Sequence, residues 1–583
     1  MLPRCLVLLL CALAWPATAA ERSTPILPLA QVKPGMVGEA RTVFAGTAPE
    51  SFKVRVVSIL RNFMPKLDVI LVRAEDPRVE ASGVAAGMSG SPVYIDGKLV
   101  GAIAYGWAFV KEPLAGVTPI EAMLAERNRP DRPPPDPLAV PPQDVPPHAD
   151  RSGGSGDHAR LQPVAIPLSV SGASEASLAY MGEELQAFGM RPVRAGGAGS
   201  NPPTGKAPAT TLVPGSAIGV ALISGDMSTT AMGTLTHRDG KQVFAFGHAM
   251  FGVGAVNLPM VQGEIHAIIP SLASSLKLSS PLTEIGAVTD DSKSGIIGII
   301  GGRAGTVPLQ VRVISKGVRK PAFSVAIARH RKLLPMLTTT AVSTALAEAV
   351  PDVTDMIADV TTRLFIRGFP PLELRDQILS RATLAPRVLA MSHGMRALVE
   401  LLKNPFAPAV VDRIEVNARV DFRAGSAEIT GLASPGGDVR AGKRLPLKVT
   451  LRPYGGEEIV EDLPIEVPAT LAGRRVKIEV AGGAQVKPEI PRAESLGMLI
   501  ENLRTFYPAS SLIVSLTTLE DGVTLRGRVI RNLPPSALDT LRPAAQSRSA
   551  SGYHVVQRTA FARDRIFTGR KAITVEVSEK NSP

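Results

Sequence analysis

Cysteine is almost missing from this chain: of 583 residues only Cys5 and Cys11 are cysteines, both near the N-terminus. The rest of the chain therefore has no disulfide, no thiolate metal site and no cysteine nucleophile to draw on. Aromatic residues are scarce at 4%, and the 20% of charged residues form no long run of one sign. The net charge of +12 is diffuse. Scattered basicity argues against a nucleic-acid partner and is compatible with affinity for an anionic envelope surface. The eight histidines are dispersed and none stands at His-x-x-x-His spacing, so no metal and no cofactor is expected. The prominent apolar run, Leu6–Trp15, is too short for a stable membrane span.

What remains is rich in hydrophobic residues (45%), with 53 glycines and 51 prolines. That balance predicts mainly β structure, short strands punctuated by turns, in two to four domains. Arg4, the apolar run and the small-residue site Ala17-Thr18-Ala19 predict a secretory signal over 1–20. The remainder would then be exported to the periplasm or cell envelope of a bacterium. A first strand-rich segment, 21–128, is followed by a Pro/Gly-rich linker, 129–162, and a second strand-rich segment, 163–328. A helical region is expected over 329–408, with apolar spacing in Leu333–Val350 and Glu373–Lys403. Clean alternation from 409 to 583, as in Val476-Lys477-Ile478-Glu479-Val480, predicts a β-sandwich with one helix at Ala493–Thr505.

The chemistry concentrates in Gly87-Met88-Ser89-Gly90-Ser91-Pro92. Serine is a weak nucleophile until a base takes its proton and backbone N–H groups receive the developing oxyanion. Glycines on either side permit the backbone angles that aim successive N–H groups at one point. Ser89 is thus the candidate nucleophile, with the N–H groups of Gly87 and Ser89 as the oxyanion hole. Behind it, Pro92–Ile95 and Leu99–Ala104 flank Asp96-Gly97, a two-residue hairpin turn. His248, in Phe246-Gly247-His248-Ala249-Met250, is the candidate base, and His237 and His266 are alternatives.

Residues 87–107 resemble the nucleophile region of chymotrypsin-like proteases, with Met88 where those enzymes carry Asp. That resemblance implies a double β-barrel protease unit. It also implies that Ala104, Tyr105 and Gly106 lie on the strand that pairs with substrate. The closer resemblance is to the SpoIVB (stage IV sporulation protein B) serine peptidases. It rests on the nucleophile motif and on a second block, from Ile218-Gly219-Val220 through Met232-Gly233-Thr234-Leu235-Thr236 to Gly247-His248. The His block precedes the Ser block in that family and follows it here. The triad logic tolerates any chain order. The family places an acid some fifteen residues before the nucleophile, a slot held here by Ala74; Asp76 and Asp68 are the nearby candidates, and a Ser-His dyad is the alternative. The resemblance implies an exported serine endopeptidase acting on protein or peptide substrates. A scaffold that keeps the protease fold and binds peptides without cutting them is the competing expectation.

Overall fold

The computed structural model describes residues 24–127, 161–196, 212–350, 355–380, 385–422, 425–434, 439–488, 490–525, 528–531, 534–541 and 547–579. The expected signal and nearly all of the expected linker lie outside the described residues. The protein is mainly β and is built around two six-stranded rings.

The first ring uses β1 (Val37–Thr42), β2 (Glu50–Met64), β3 (Leu67–Ala74), β4 (Pro92–Ile95), β5 (Lys98–Gly106) and β6 (Leu114–Pro119). The strand order β4-β1-β2-β3-β6-β5 closes through a β4–β5 pairing. The period-two pattern of β2 points Phe52, Val54 and Val56 inward, where they meet Ile70, Val72, Val93 and Val117. Each such side chain contributes about 1.5–3 kcal/mol on burial. The β4–β5 turn has the two positive φ angles of a tight hairpin, +50° at Asp96 and +73° at Gly97. A short helix, α1 (Pro77–Ser82), follows β3, and α2 (Ile120–Arg127) follows β6.

After the linker come β7 (Gln162–Pro163), β8 (Ile166–Ser171), α3 (Glu175–Leu185) and β9 (Met190–Arg194). The second ring then uses β10 (Ala217–Gly225), β11 (Ser228–Asp239), β12 (Gln242–Ala245), β13 (Gly254–Ile269), β14 (Leu276–Ser292) and β15 (Gly295–Ile300). Their order β10-β13-β14-β15-β12-β11 closes through β10–β11. Glycine is required at Gly286 of β14, where a Cβ would sit 2.1 Å from Ile299 O of β15.

The second sheet continues through β16 (Thr306–Ser315), β17 (Val318–Arg319), β18 (Phe323–Ala328), β19 (Met356–Ile366), β20 (Leu372–Ser380) and β21 (Val411–Asp421). Three helices, α4 (Leu334–Ala349), α5 (Pro386–Ala390) and α6 (His393–Lys403), pack on it. The helix expected over Glu373–Lys403 is therefore corrected in its first half. Leu372, Leu374 and Ile378 bury one face of a strand paired with β19, and the four-residue step from Leu374 to Ile378 suits a strand as well as a helix. Strand β21 pairs in parallel with β16, so the second ring and β21 share one sheet.

Beyond it, a four-stranded sheet and a six-stranded sheet enclose one core that includes Ile429, Leu447, Leu463, Ile478, Val514 and Phe567. This is the C-terminal β-sandwich. The expected helix lies at α7 (Leu496–Arg504).

Candidate active site

The two rings meet along a seam that carries both candidate residues. Tyr94, Leu99, Ala102, Ile120 and Met123 of the first unit form one buried cluster with Phe244 and Ile297 of the second. Hydroxyls stitch the seam: Thr234 Oγ1 donates to Gly87 O (2.9 Å), Thr236 Oγ1 to Gly90 O (2.7 Å) and Thr118 Oγ1 to Gly247 O (2.6 Å).

Ser89 sits in the loop that enters β4. Gly87 (φ +92°) and Gly90 (φ +95°) hold the left-handed conformation on either side of it. At Gly90 no side chain is possible, because a Cβ would lie 1.9 Å from Thr234 O and 2.5 Å from Phe246 N. Met88 anchors the turn by burying its side chain in the first core. Gly90 N donates to Ile103 O, and Ile103 N donates to Ser91 O, so the turn is clamped to β5. Among the described residues the Gly87 and Ser89 N–H groups have no backbone acceptor, as an oxyanion hole requires. Ser89 is fully buried, and its Oγ makes no hydrogen bond.

His248 follows β12. The chain turns through two consecutive positive φ angles, +70° at Phe246 and +71° at Gly247. A bulky non-glycine residue in that region is strained. It is held by a Phe246 N–H bond to Thr234 O (3.2 Å) and by a niche that Gly233 leaves for the Phe246 ring. The imidazole is buried, with Nδ1 at 2.8 Å from Ala249 O. A carbonyl only accepts, so Nδ1 carries the proton and the buried Nε2 has the lone pair a base needs.

One residue links the two turns. Thr234 N donates to Ser89 O at 2.8 Å, and Thr234 O accepts from Phe246 N. The nucleophile turn and the histidine turn are thus both bonded to the backbone of a single residue, in one buried junction. No histidine occurs before His148, so an imidazole for Ser89 has to come from outside the first ring.

The two candidate acids stand elsewhere, which corrects that expectation. Asp76 caps α1: its carboxylate accepts from Arg78 N at 2.9 Å and pairs with the Arg78 guanidinium. Asp68 lies on the β2–β3 hairpin and accepts from Arg61 and from Asn62 N, both at 2.7 Å. These bonds hold both carboxyls below the usual carboxylate range, with the Arg78 side chain dominating for Asp76 and the Asn62 N–H for Asp68. Of the rival bases, His266 is occupied, its Nε2 meeting Ser280 Oγ at 2.7 Å, while His237 stacks on Phe244 with its Nδ1 buried and without a hydrogen bond.

Two ionisable residues at the junction escaped the sequence reading. Asp291, fully buried on β14, accepts from Met250 N (2.8 Å), Phe251 N (2.6 Å) and Gly252 N (3.0 Å). It fixes the loop directly after His248. Burial pushes its carboxyl up to about 6, against the opposing pull of the three N–H donors. Lys277, buried at the other end of β14, lies beside the nucleophile turn. Its Cβ and Cδ are 3.3 Å from where a Gly87 side chain would begin, and its backbone N–H donates to Ala86 O. Its Nζ is 2.5 Å from Thr42 Oγ1, which Ser91 Oγ also reaches at 3.1 Å. Burial lowers its ammonium to about 7. The available signal was an ionisable residue breaking an apolar alternation: Leu276-Lys277-Leu278, and Asp290-Asp291 after Ala287-Val288.

The substrate-pairing candidates Ala104, Tyr105 and Gly106 form the end of β5, beside the Ser89 turn. Among the described residues, no group of three or more His, Cys, Asp or Glu side chains could hold a metal ion.

Against known families, residues 15–124 match the SpoIVB peptidase S55 family. The match spans the first ring and Ser89 and ends before His248. The first ring is thus similar to that peptidase family. No curated protein and no solved structure matches the chain.

Proposed function

We propose that the protein is an exported serine endopeptidase in which Ser89 and His248 act as a dyad. Ser89 Oγ attacks the substrate carbonyl while His248 Nε2 takes its proton and later gives it to the leaving amine. The N–H groups of Gly87 and Ser89 receive the oxyanion. The Ala249 carbonyl does the work of an acid in fixing the imidazole tautomer, and Asp291 positions the loop that carries it. The observation that carries the reading is the Thr234 backbone, whose N–H donates to Ser89 O and whose carbonyl accepts from Phe246 N. Export is part of the proposal and rests on the N-terminal pattern; fractionation of the tagged protein with N-terminal sequencing tests it.

A second reading is a binding scaffold that holds peptides and does not cut them. It is favoured by one fact: the buried Ser89 hydroxyl has no hydrogen bond to a base. A fluorophosphonate probe separates the two. The peptidase is labelled, and Ser89→Ala reduces labelling and peptide hydrolysis to background. A folded protein that is never labelled is the scaffold.

A further inference from the structure

A peptidase nucleophile has to be reached, yet Ser89 is fully buried. Beside the turn that carries it runs the protein's own chain. The segment that follows the linker runs antiparallel to the end of β5, pairing Gln162 with Gly106 and Pro163 with Tyr105. Val164 N then donates to Ala104 O at 2.8 Å. Three residues later the Pro167 ring is 3.2 Å from where a Gly87 Cβ would stand. Between these anchors the backbone passes from the end of β5 to the oxyanion turn.

Resting on the peptidase reading above, we propose that residues 161–167 are a tethered occupant of the peptide-binding groove, lying in it as an extended substrate would. The strap's chemistry then gives the substrate class. Bonded pairs alternate in an antiparallel ladder, so Ala104–Val164 and Gly106–Gln162 bond while Tyr105–Pro163 does not. The one proline of this strand stands where no inward N–H is needed. Val164 turns a methyl toward Gly106, 3.7 Å from where a Cβ would begin, so the groove accepts a small aliphatic side chain there. The favoured substrate is an extended peptide with proline followed by such a residue. A tethered strand competes at an effective concentration of about millimolar, so exchange for a free peptide requires that residues 161–165 lift from β5 while Ile166 and Pro167 stay paired with β9.

Val164 belongs to none of the hydrophobic core clusters, so Val164→Pro removes the bond to Ala104 without emptying a core. Gln162→Pro is the second variant. Hydrogen exchange at the Gly106 amide reads groove occupancy without activity, and fluorophosphonate labelling reads access to Ser89. In the full-length variants Gly106 exchange and labelling both speed at least tenfold, and a synthetic heptapeptide of residues 161–167 slows both. Faster Gly106 exchange with unchanged labelling overturns the proposal, because the strap is then not what covers Ser89. If neither wild type nor variants are labelled, the peptidase reading fails. Groove occupancy is then judged by the heptapeptide alone, which must restore Gly106 protection; its failure to do so overturns the inference too.

Discussion

The two rings share a strand count and a closed topology and divide the chemistry between them. The first supplies shape: a glycine turn, two N–H groups with no backbone acceptor, an edge strand, and no histidine at all. The second supplies the groups that titrate, His248, Asp291 and Lys277, all borne on or beside β12–β14 and all buried. In the proposed dyad neither ring is a catalyst alone. The lesson is that the seam, more than either core, brings the candidate groups together, and its hydroxyl stitches are as much a part of the proposed site as the nucleophile.

The seam breaks most completely at Gly90. Gly90→Ala puts a methyl 1.9 Å from Thr234 O at a φ of +95°; strain and overlap together cost at least about 4 kcal/mol. Urea unfolding then shows a lower midpoint, or two separate transitions as the rings come apart. Asp291→Asn tests the second ring's share. It replaces a carboxylate acceptor of three buried N–H groups by an amide, at a cost of about 2–3 kcal/mol. Because the His248 loop loosens while β5 is untouched, kcat falls at least tenfold and KM changes little, which steady-state kinetics on a peptide resolves.

Per pH unit, Lys277 gives a smaller effect than either. Its ammonium titrates near 7 in the native protein against an ordinary 10.5. Between those values the unfolded chain holds a proton that the native chain lacks. Stability therefore rises with pH across that window, by at most about 1.4 kcal/mol per pH unit, and the full cost is present below pH 7. Lys277→Met flattens this slope in denaturant titrations from pH 7 to 10. Smallest of all are Asp76→Asn and Asp68→Asn. Asn still caps α1, and the lost ion pairs are on the surface and worth under about 1 kcal/mol. Peptidase activity stays within twofold of wild type; a larger loss in either would restore that carboxylate to the catalytic set.

Much of the first ring could be read from residue order. Alternation in β2, the Asp96-Gly97 turn and the glycines around Ser89 are local signals, and local signals survive in a single sequence. Asp291 was not legible, because its role depends on three N–H groups of a loop bent back onto β14, and backbone direction leaves no mark in residue type. The strap was divided between the linker, up to 162, and the second segment, from 163: a two-residue strand containing proline has no periodicity to detect. Asp76 and Asp68 were legible as acids but not as neighbours of Arg78 and Arg61. Proximity along the chain to the nucleophile was mistaken for proximity to its base.

The order of the two rings has a consequence in time. Domains tend to fold from the N-terminus as the chain is made. A chain made in this order completes its nucleophile turn while every histidine it will ever have is still unmade, since none occurs before position 148. Through translation the half-built molecule holds a serine with no imidazole to activate it. In the proposed dyad, placing the imidazole late keeps the nucleophile idle in the nascent chain without a separate inhibitor.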